Sequence, residues 1–426
     1  MKNKFIKSTI ILIIGGGVTK LLAMVIKIFL TRAIGDRGIG LYMLILPTFN
    51  LFITLCSLSL STSISKLISE RGGARKIVLS MVPISLIYNF ILMILLIIFA
   101  PFISNTLLSN PLTRYPIMAI GFTLPFICIS GILKGYFYGN ENMMPFVISN
   151  IIEQLVRLIM IIFVIPKLMK YGLVVATCGV VLINILSEFS SIVCLILFIP
   201  NKKIKISDFK FDKPIFKDIL NISLPTTGSR LIGSISYFFE PIILTFIMLW
   251  LGYNNDYIVL EYGVITGYVQ PLLLLPSFFT MAISTSLLPV VSNSYSKGNY
   301  NYAKKKLKQA ICISLIIGII FTTIIMLVPE FLLGFIYNTT LGVKYIKIVG
   351  PFFLLHYIQG PLTAYLQAIN KANNAMMGTL VGAIIKNILL LVLPIFMGIW
   401  GFVIASLVNI FYVTVQHIYH VLKSFK

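Results

Sequence analysis

Lys20, Arg157, Arg230 and Lys386 each fall near the middle of a separate apolar run long enough to span a bilayer. A cation at that depth costs about 3 kcal/mol to insert. Basic side chains placed this way usually face a bundle interior or a water-filled cavity and mark the path of a charged ligand. Four of them predict a chamber for an anion, and phosphate oxygens are the partners that ammonium and guanidinium groups suit best. Lys27 lies seven residues beyond Lys20 on the same helix face. Two roles are open to it: extending the basic track, or snorkelling to the interface.

Three acids share these apolar runs: Glu153, Glu188 and Glu240. Glu153 precedes Arg157 by four residues, a spacing that pairs them on one helix face. It either neutralises Arg157 or competes with an anionic ligand for it and is protonated along the way. Glu240 precedes Pro241, where a kink would free backbone carbonyls beside a carboxylate. Such a place is either structural or suited to Na⁺ or H⁺. Glu188 has no basic neighbour in sequence, so its partner must be tertiary. Lys20, Arg230 and Lys386 have no acid at helical spacing, which leaves an expected excess of positive charge comparable to that of a diphosphate headgroup.

The elements that must position these residues are membrane helices. The chain is 58% hydrophobic and 11% charged, far from a soluble average. Apolar stretches recur at 9–31, 39–64, 78–100, 115–133, 146–165, 172–199, 219–250, 259–288, 309–328, 345–368, 376–397 and 400–421. Twelve transmembrane helices in an all-α polytopic protein follow. With the N-terminus inside, Lys and Arg cluster in inside segments at 2–7, 66–76, 202–217 and 297–308, joined by Lys134 and Lys371. The outside segments hold only Arg32, Arg37, Arg114, Lys167, Lys170, Lys344 and Lys347. That bias obeys the positive-inside rule and puts both termini in the cytoplasm. The net charge of +22 is then topogenic and lies against membrane lipids. It gives no soluble basic face for nucleic acid. No cofactor or metal motif is present, and no catalytic constellation. The acids of the outer loops, Asp36, Asp256, Glu261 and Glu330, are too scattered to hold a metal–diphosphate substrate.

The sequence repeats. Leu60-Ser61-Thr62-Ser63-Ile64 matches Ile283-Ser284-Thr285-Ser286-Leu287, and Val18-Thr19-Lys20-Leu21-Leu22 matches Gly228-Ser229-Arg230-Leu231-Ile232. An offset of 229 residues carries Gly135-Tyr136-Phe137-Tyr138-Gly139 onto Ala364-Tyr365-Leu366-Gln367-Ala368, and Arg157 onto Lys386. The four cations are therefore two pairs in two parallel six-helix lobes, residues 1–200 and 217–426, joined by a linker over 201–216. A pseudo-twofold axis along the membrane normal would gather them around one central cavity.

Arg32-Ala33-Ile34-Gly35-Asp36-Arg37-Gly38-Ile39-Gly40, the Gly135–Gly139 motif with Met143 and Pro145, Ile152-Glu153-Gln154-Leu155-Val156-Arg157, and Leu224-Pro225 through Gly233 with Glu240-Pro241-Ile242 resemble the stage V sporulation protein B family. That family belongs to the multidrug/oligosaccharidyl-lipid/polysaccharide (MOP) flippase superfamily. The resemblance runs over nearly the whole chain. It implies a MATE-like fold and alternating access for an undecaprenyl-diphosphate-linked glycan, either a peptidoglycan precursor such as lipid II or another polysaccharide intermediate. It also implies a role in the cell membrane beside cell-wall synthesis proteins, and diphosphate binding by Lys20, Lys27, Arg230 and Lys386. Relatives in the sporulation and lipid II branches usually carry fourteen helices, the last two forming a groove for the lipid tail; twelve are expected here. Two other readings stay open. One is an exporter of drugs or metabolites driven by Na⁺ or H⁺, which should present acids rather than bases. The other is a non-transporting scaffold for cell-wall or spore assembly, which should tolerate loss of the central cations.

Overall fold

The computed structural model describes residues 2–200 and 212–425, with the side chains of residues 2–10, 13 and 229 left aside. Lys202, Lys203, Lys205 and Lys210 of the expected linker lie outside the described residues. No strand occurs among the described residues, as expected where lipid forces every backbone group to be satisfied within its own segment. The chain divides into two compact units, Met1–Phe238 and Phe239–Lys426. The first holds α1 (Lys2–Ser57), α2 (Leu60–Arg71), α3 (Ala74–Phe102), α4 (Arg114–Gly139), α5 (Met143–Met169), α6 (Leu173–Leu197) and the first part of α7 (Lys213–Trp250). The second holds the rest of α7, α8 (Asn255–Gly263), α9 (Gln270–Leu273), α10 (Ser277–Ser296), α11 (Tyr300–Leu327), α12 (Pro329–Tyr337), α13 (Val343–Ala368), α14 (Ala372–Met397) and α15 (Ile399–Lys423).

All twelve predicted spans fall mainly on helical backbone, with turns at Leu58 and Ser59 inside the second and at 274–276 inside the eighth. Nine described stretches are individually long and apolar enough to cross a membrane, and ten when α8–α10, bent by 54°, counts as one. The difference from twelve has two sources. The first two spans form one stretch, Ile14–Arg71, broken at Gly35, whose φ of 65° and ψ of −176° suit glycine. In α13, Lys344, Lys347, His356 and Gln359 dilute the apolar run. The protein is an all-α, multi-span membrane protein. Its exposed apolar side chains form helical stripes, such as Ile87, Ile91, Ile94 and Ile98 on α3, the inverse of a soluble surface.

Within the first unit, α4 is central and packs on α2, α3 and α6. The Gly135–Gly139 motif makes this possible. A Cβ on Gly135 would lie 2.8 Å from the Ser61 carbonyl oxygen of α2, and one on Gly139 would lie 2.6 Å from Ile68 Cβ. Gly131, one turn earlier, has nothing within 4 Å. Gly135→Ala is therefore expected to cost about 1–3 kcal/mol by overpacking, and Gly131→Ala should be neutral. Thermal unfolding of the two variants in detergent checks this; equal melting temperatures would remove the close-packing argument.

The first part of α7 belongs to the first unit because a polar stripe binds it there. Ser223 Oγ donates to the Leu58 carbonyl. Thr227 Oγ1 donates to Ser59 Oγ at 3.3 Å, and the Ser234 and Thr54 hydroxyls are 2.8 Å apart. At its start, Arg71 pairs with Asp218 at 2.5 Å and Lys76 with Asp212 at 2.6 Å. The hydrogen bond from Lys76, with another from the Ile215 backbone N–H, holds the Asp212 carboxyl below the usual carboxylate range. In the second unit, α13 is the hub, against α10, α11 and α15. Its core gathers Leu287, Val291, Leu307, Leu362, Tyr365 and Leu366.

Candidate functional site: buried ion pairs and an exposed basic stripe

Four charged side chains meet inside the first unit. Lys134 on α4 donates to Glu153 Oε2 at 3.0 Å. Arg157, one turn along α5 from Glu153, donates to its Oε1 at 2.9 Å and to Ser187 Oγ of α6 at 3.2 Å. Glu188 of α6 places Oε2 at 3.9 Å from the Lys134 ammonium. The expectation that Glu153 and Arg157 pair at helical spacing holds, but the assignment of Lys134 to a cytoplasmic connection does not. α4 runs on to Gly139, so Lys134 lies inside the helix with only 16% of its side chain exposed. The tertiary partner of Glu188 is this lysine. The signal was the aromatic run Tyr136-Phe137-Tyr138, which continues the apolar helix past it.

The second unit holds a separate pair. Lys386 Nζ on α14 donates to Glu240 Oε2, and Tyr262 OH donates to Glu240 Oε1 at 3.3 Å. The ammonium lies 5.2 Å from the Phe402 ring centroid, within cation–π range. Lys386 has no acid at helical spacing, as the sequence shows, but α7 supplies one across 146 residues of chain. The Glu240 carboxylate therefore has an ammonium and a phenol hydroxyl as its partners. No group of three His, Cys, Asp or Glu side chains able to hold a metal occurs among the described residues. Glu261, expected in an outer loop, is instead buried on α8, accepting from Lys344 Nζ at 2.8 Å and from the Tyr345 hydroxyl.

The remaining basic residues are not enclosed this way. Arg230 lies on the polar stripe of α7, three residues after Thr227 and four before Ser234. Its side chain is exposed and meets no carboxylate among the described residues. Lys20 on α1 is exposed and Lys27 half-buried. The excess positive charge expected from sequence is therefore concentrated in the first unit. There Lys20, Lys27, Lys134, Arg157 and Arg230 stand against Glu153 and Glu188.

Residues 5–295 match the family described as polysaccharide biosynthesis protein, and residues 234–393 match MatE. The first match covers more than half the chain. The chain belongs to the polysaccharide biosynthesis protein family. The chain is 37% identical to stage V sporulation protein B of Bacillus subtilis (strain 168), over 98% of this chain and 83% of that protein. It is 24% identical to the lipid II flippase MurJ of the same organism, over 91% of this chain and 77% of that one. A multidrug resistance MATE family transporter of the MOP superfamily, solved in an inward-facing conformation, shares the fold with TM-score 0.73 at 18% identity. That similarity covers 95% of this chain and 94% of the transporter. The fold is shared with that transporter.

Proposed function

We propose that this chain is an alternating-access flippase of the bacterial plasma membrane, with both termini cytoplasmic. Its substrate is an undecaprenyl-diphosphate-linked glycan, a peptidoglycan precursor or another polysaccharide lipid intermediate, moved from the inner to the outer leaflet. The observation that carries this reading is Arg230: an exposed guanidinium inside an apolar helix, on a polar face, with no carboxylate among the described residues. Exposure to hydrocarbon would cost such a cation several kcal/mol, so the face it occupies is wet. Lys20 and Lys27 on α1 add two more positive groups, the chemistry that recognises a diphosphate. The relative named as a lipid II flippase supports the same substrate class. Arg157 in the first unit and Lys386 in the second can each take a phosphate only by giving up its carboxylate, Glu153 or Glu240.

An inside-negative potential acts at about 2.3 kcal/mol per charge per 100 mV, so it draws unloaded cations toward the cytoplasmic side. The protein reconstituted in vesicles should equilibrate a labelled polyprenyl-diphosphate disaccharide between leaflets. An imposed inside-negative potassium diffusion potential should speed it. Efflux of cationic dyes with no effect on the labelled lipid would favour the drug-exporter reading and overturn this one. A scaffold would do neither.

A further inference from the structure

The four-charge network of α4, α5 and α6 has one member that is not held like the others. Both oxygens of Glu153 accept from cations, Lys134 at 3.0 Å and Arg157 at 2.9 Å. That carboxylate is held by two charge-assisted bonds, one to each oxygen. Glu188 is 9% exposed, yet its Oε2 has no hydrogen-bond partner. Its nearest cation is the Lys134 ammonium, at 3.9 Å, with the Ser130 hydroxyl beside it. An ionised carboxylate buried in this way is costly unless it is hydrogen-bonded, and a neutral carboxyl is not. Two cations and two carboxylates sum to zero charge when both acids are ionised; with Glu188 neutral the network carries one positive charge more.

The surroundings decide which cation Glu188 can take. On α4 it faces Lys134 and the Ser130 hydroxyl; on α5, Glu153 and Arg157; on α1, Cys56 (itself beside Cys128 of α4), with Tyr42 near Arg157. Sodium needs several oxygen ligands and would sit beside a fixed ammonium and a guanidinium, both repelling it. A proton needs one oxygen and adds no ion that must be coordinated. We infer that Glu188 is a proton-binding site, loading from water and releasing to water once per transport cycle, with Lys134 as the fixed positive group that excludes metal cations. Loading leaves the α4–α5–α6 wall one charge more positive and loosens the only electrostatic tie between Glu188 and Lys134. Release restores the neutral, tightened network. This role in the cycle rests on the flippase reading; the site itself does not.

The test is infrared difference spectroscopy of the purified full-length chain in lipid bilayers, between neutral and acidic pH. The expected result is a protonated-carboxyl C=O band, shifting in deuterated water, that is lost in Glu188→Gln, kept in Glu153→Gln and unchanged when Na⁺ replaces K⁺. Glu188→Asp guards against misfolding of the glutamine variant: the band should move in frequency rather than disappear. A band unaltered in both Glu188 variants, or abolished by Na⁺ at fixed pH, overturns the inference. Loss of lipid flipping with the band intact would remove the flippase reading and leave the proton site standing; the opposite pattern would do the reverse.

Discussion

Replacing Arg230 by alanine should weaken binding of a polyprenyl-diphosphate glycan about 10- to 100-fold while leaving the fold untouched. The magnitude follows from what a guanidinium contributes. A hydrogen bond to a charged group is worth about 1.5–3 kcal/mol, and every 1.4 kcal/mol is a factor of ten. The neutrality toward folding follows from the structure. The side chain is exposed and has no carboxylate partner among the described residues, so its removal leaves no buried charge and no cavity. Neighbouring Thr227 and Ser234 keep their bonds to Ser59 and Thr54, and those bonds hold α7 in the first unit. Titration of purified protein with the diphosphate lipid by native mass spectrometry, beside a melting curve, reads both quantities. Arg230→Lys should recover part of the affinity, since the point charge returns without the bidentate fork. Unchanged affinity in Arg230→Ala would detach the exposed cation from phosphate recognition. A lowered melting temperature would mean that the side chain has a structural role.

The legible part of this protein was what the bilayer dictates. Length and apolarity placed every span mainly on helical backbone, because lipid leaves few alternatives, but did not show the turns at Leu58 and Ser59 and at 274–276. Helical spacing paired Glu153 with Arg157 correctly, since partners four residues apart need no tertiary information. The Gly135–Gly139 motif was visible as a repeat element, but its purpose was not: only the approach of Ser61 and Ile68 shows that it admits α2. The misjudged residues share a cause. Lys134 and Glu261 lie near the ends of apolar runs, where a charge is normally interfacial, and burial there depends on a partner from another helix. Glu153 and Lys344 supply those partners. The repeat also misled in one respect. It equates Arg157 with Lys386, and both are indeed compensated, but by different routes: Arg157 by its own helix and Lys386 by α7. Sequence equivalence predicted the positions of the cations; it could not predict which acids would answer them.

That difference gives the strongest stability effect expected in the molecule. Lys386→Met removes the ammonium from Glu240 but fills similar space, leaving a carboxylate that is 5% exposed with only Tyr262 OH donating to it. Breaking a buried pair from one side costs about 3–5 kcal/mol, because the surviving charge is uncompensated. The variant should therefore show a markedly lowered melting temperature and poor yield. Glu240→Gln alone strands the ammonium against Phe402 and should be nearly as damaging. The double variant, Glu240→Gln with Lys386→Met, has neither charge, and the amide can still accept from Tyr262. It should recover most of the loss, giving a coupling energy well above the 0.5 kcal/mol or so of independent sites. Additive losses would show that the two side chains are stabilised by other contacts and that their pairing is incidental. Recovery of stability without recovery of flipping would separate the two roles of Lys386. The ammonium would then be dispensable for folding once its carboxylate is gone, yet required when a diphosphate must take that carboxylate's place.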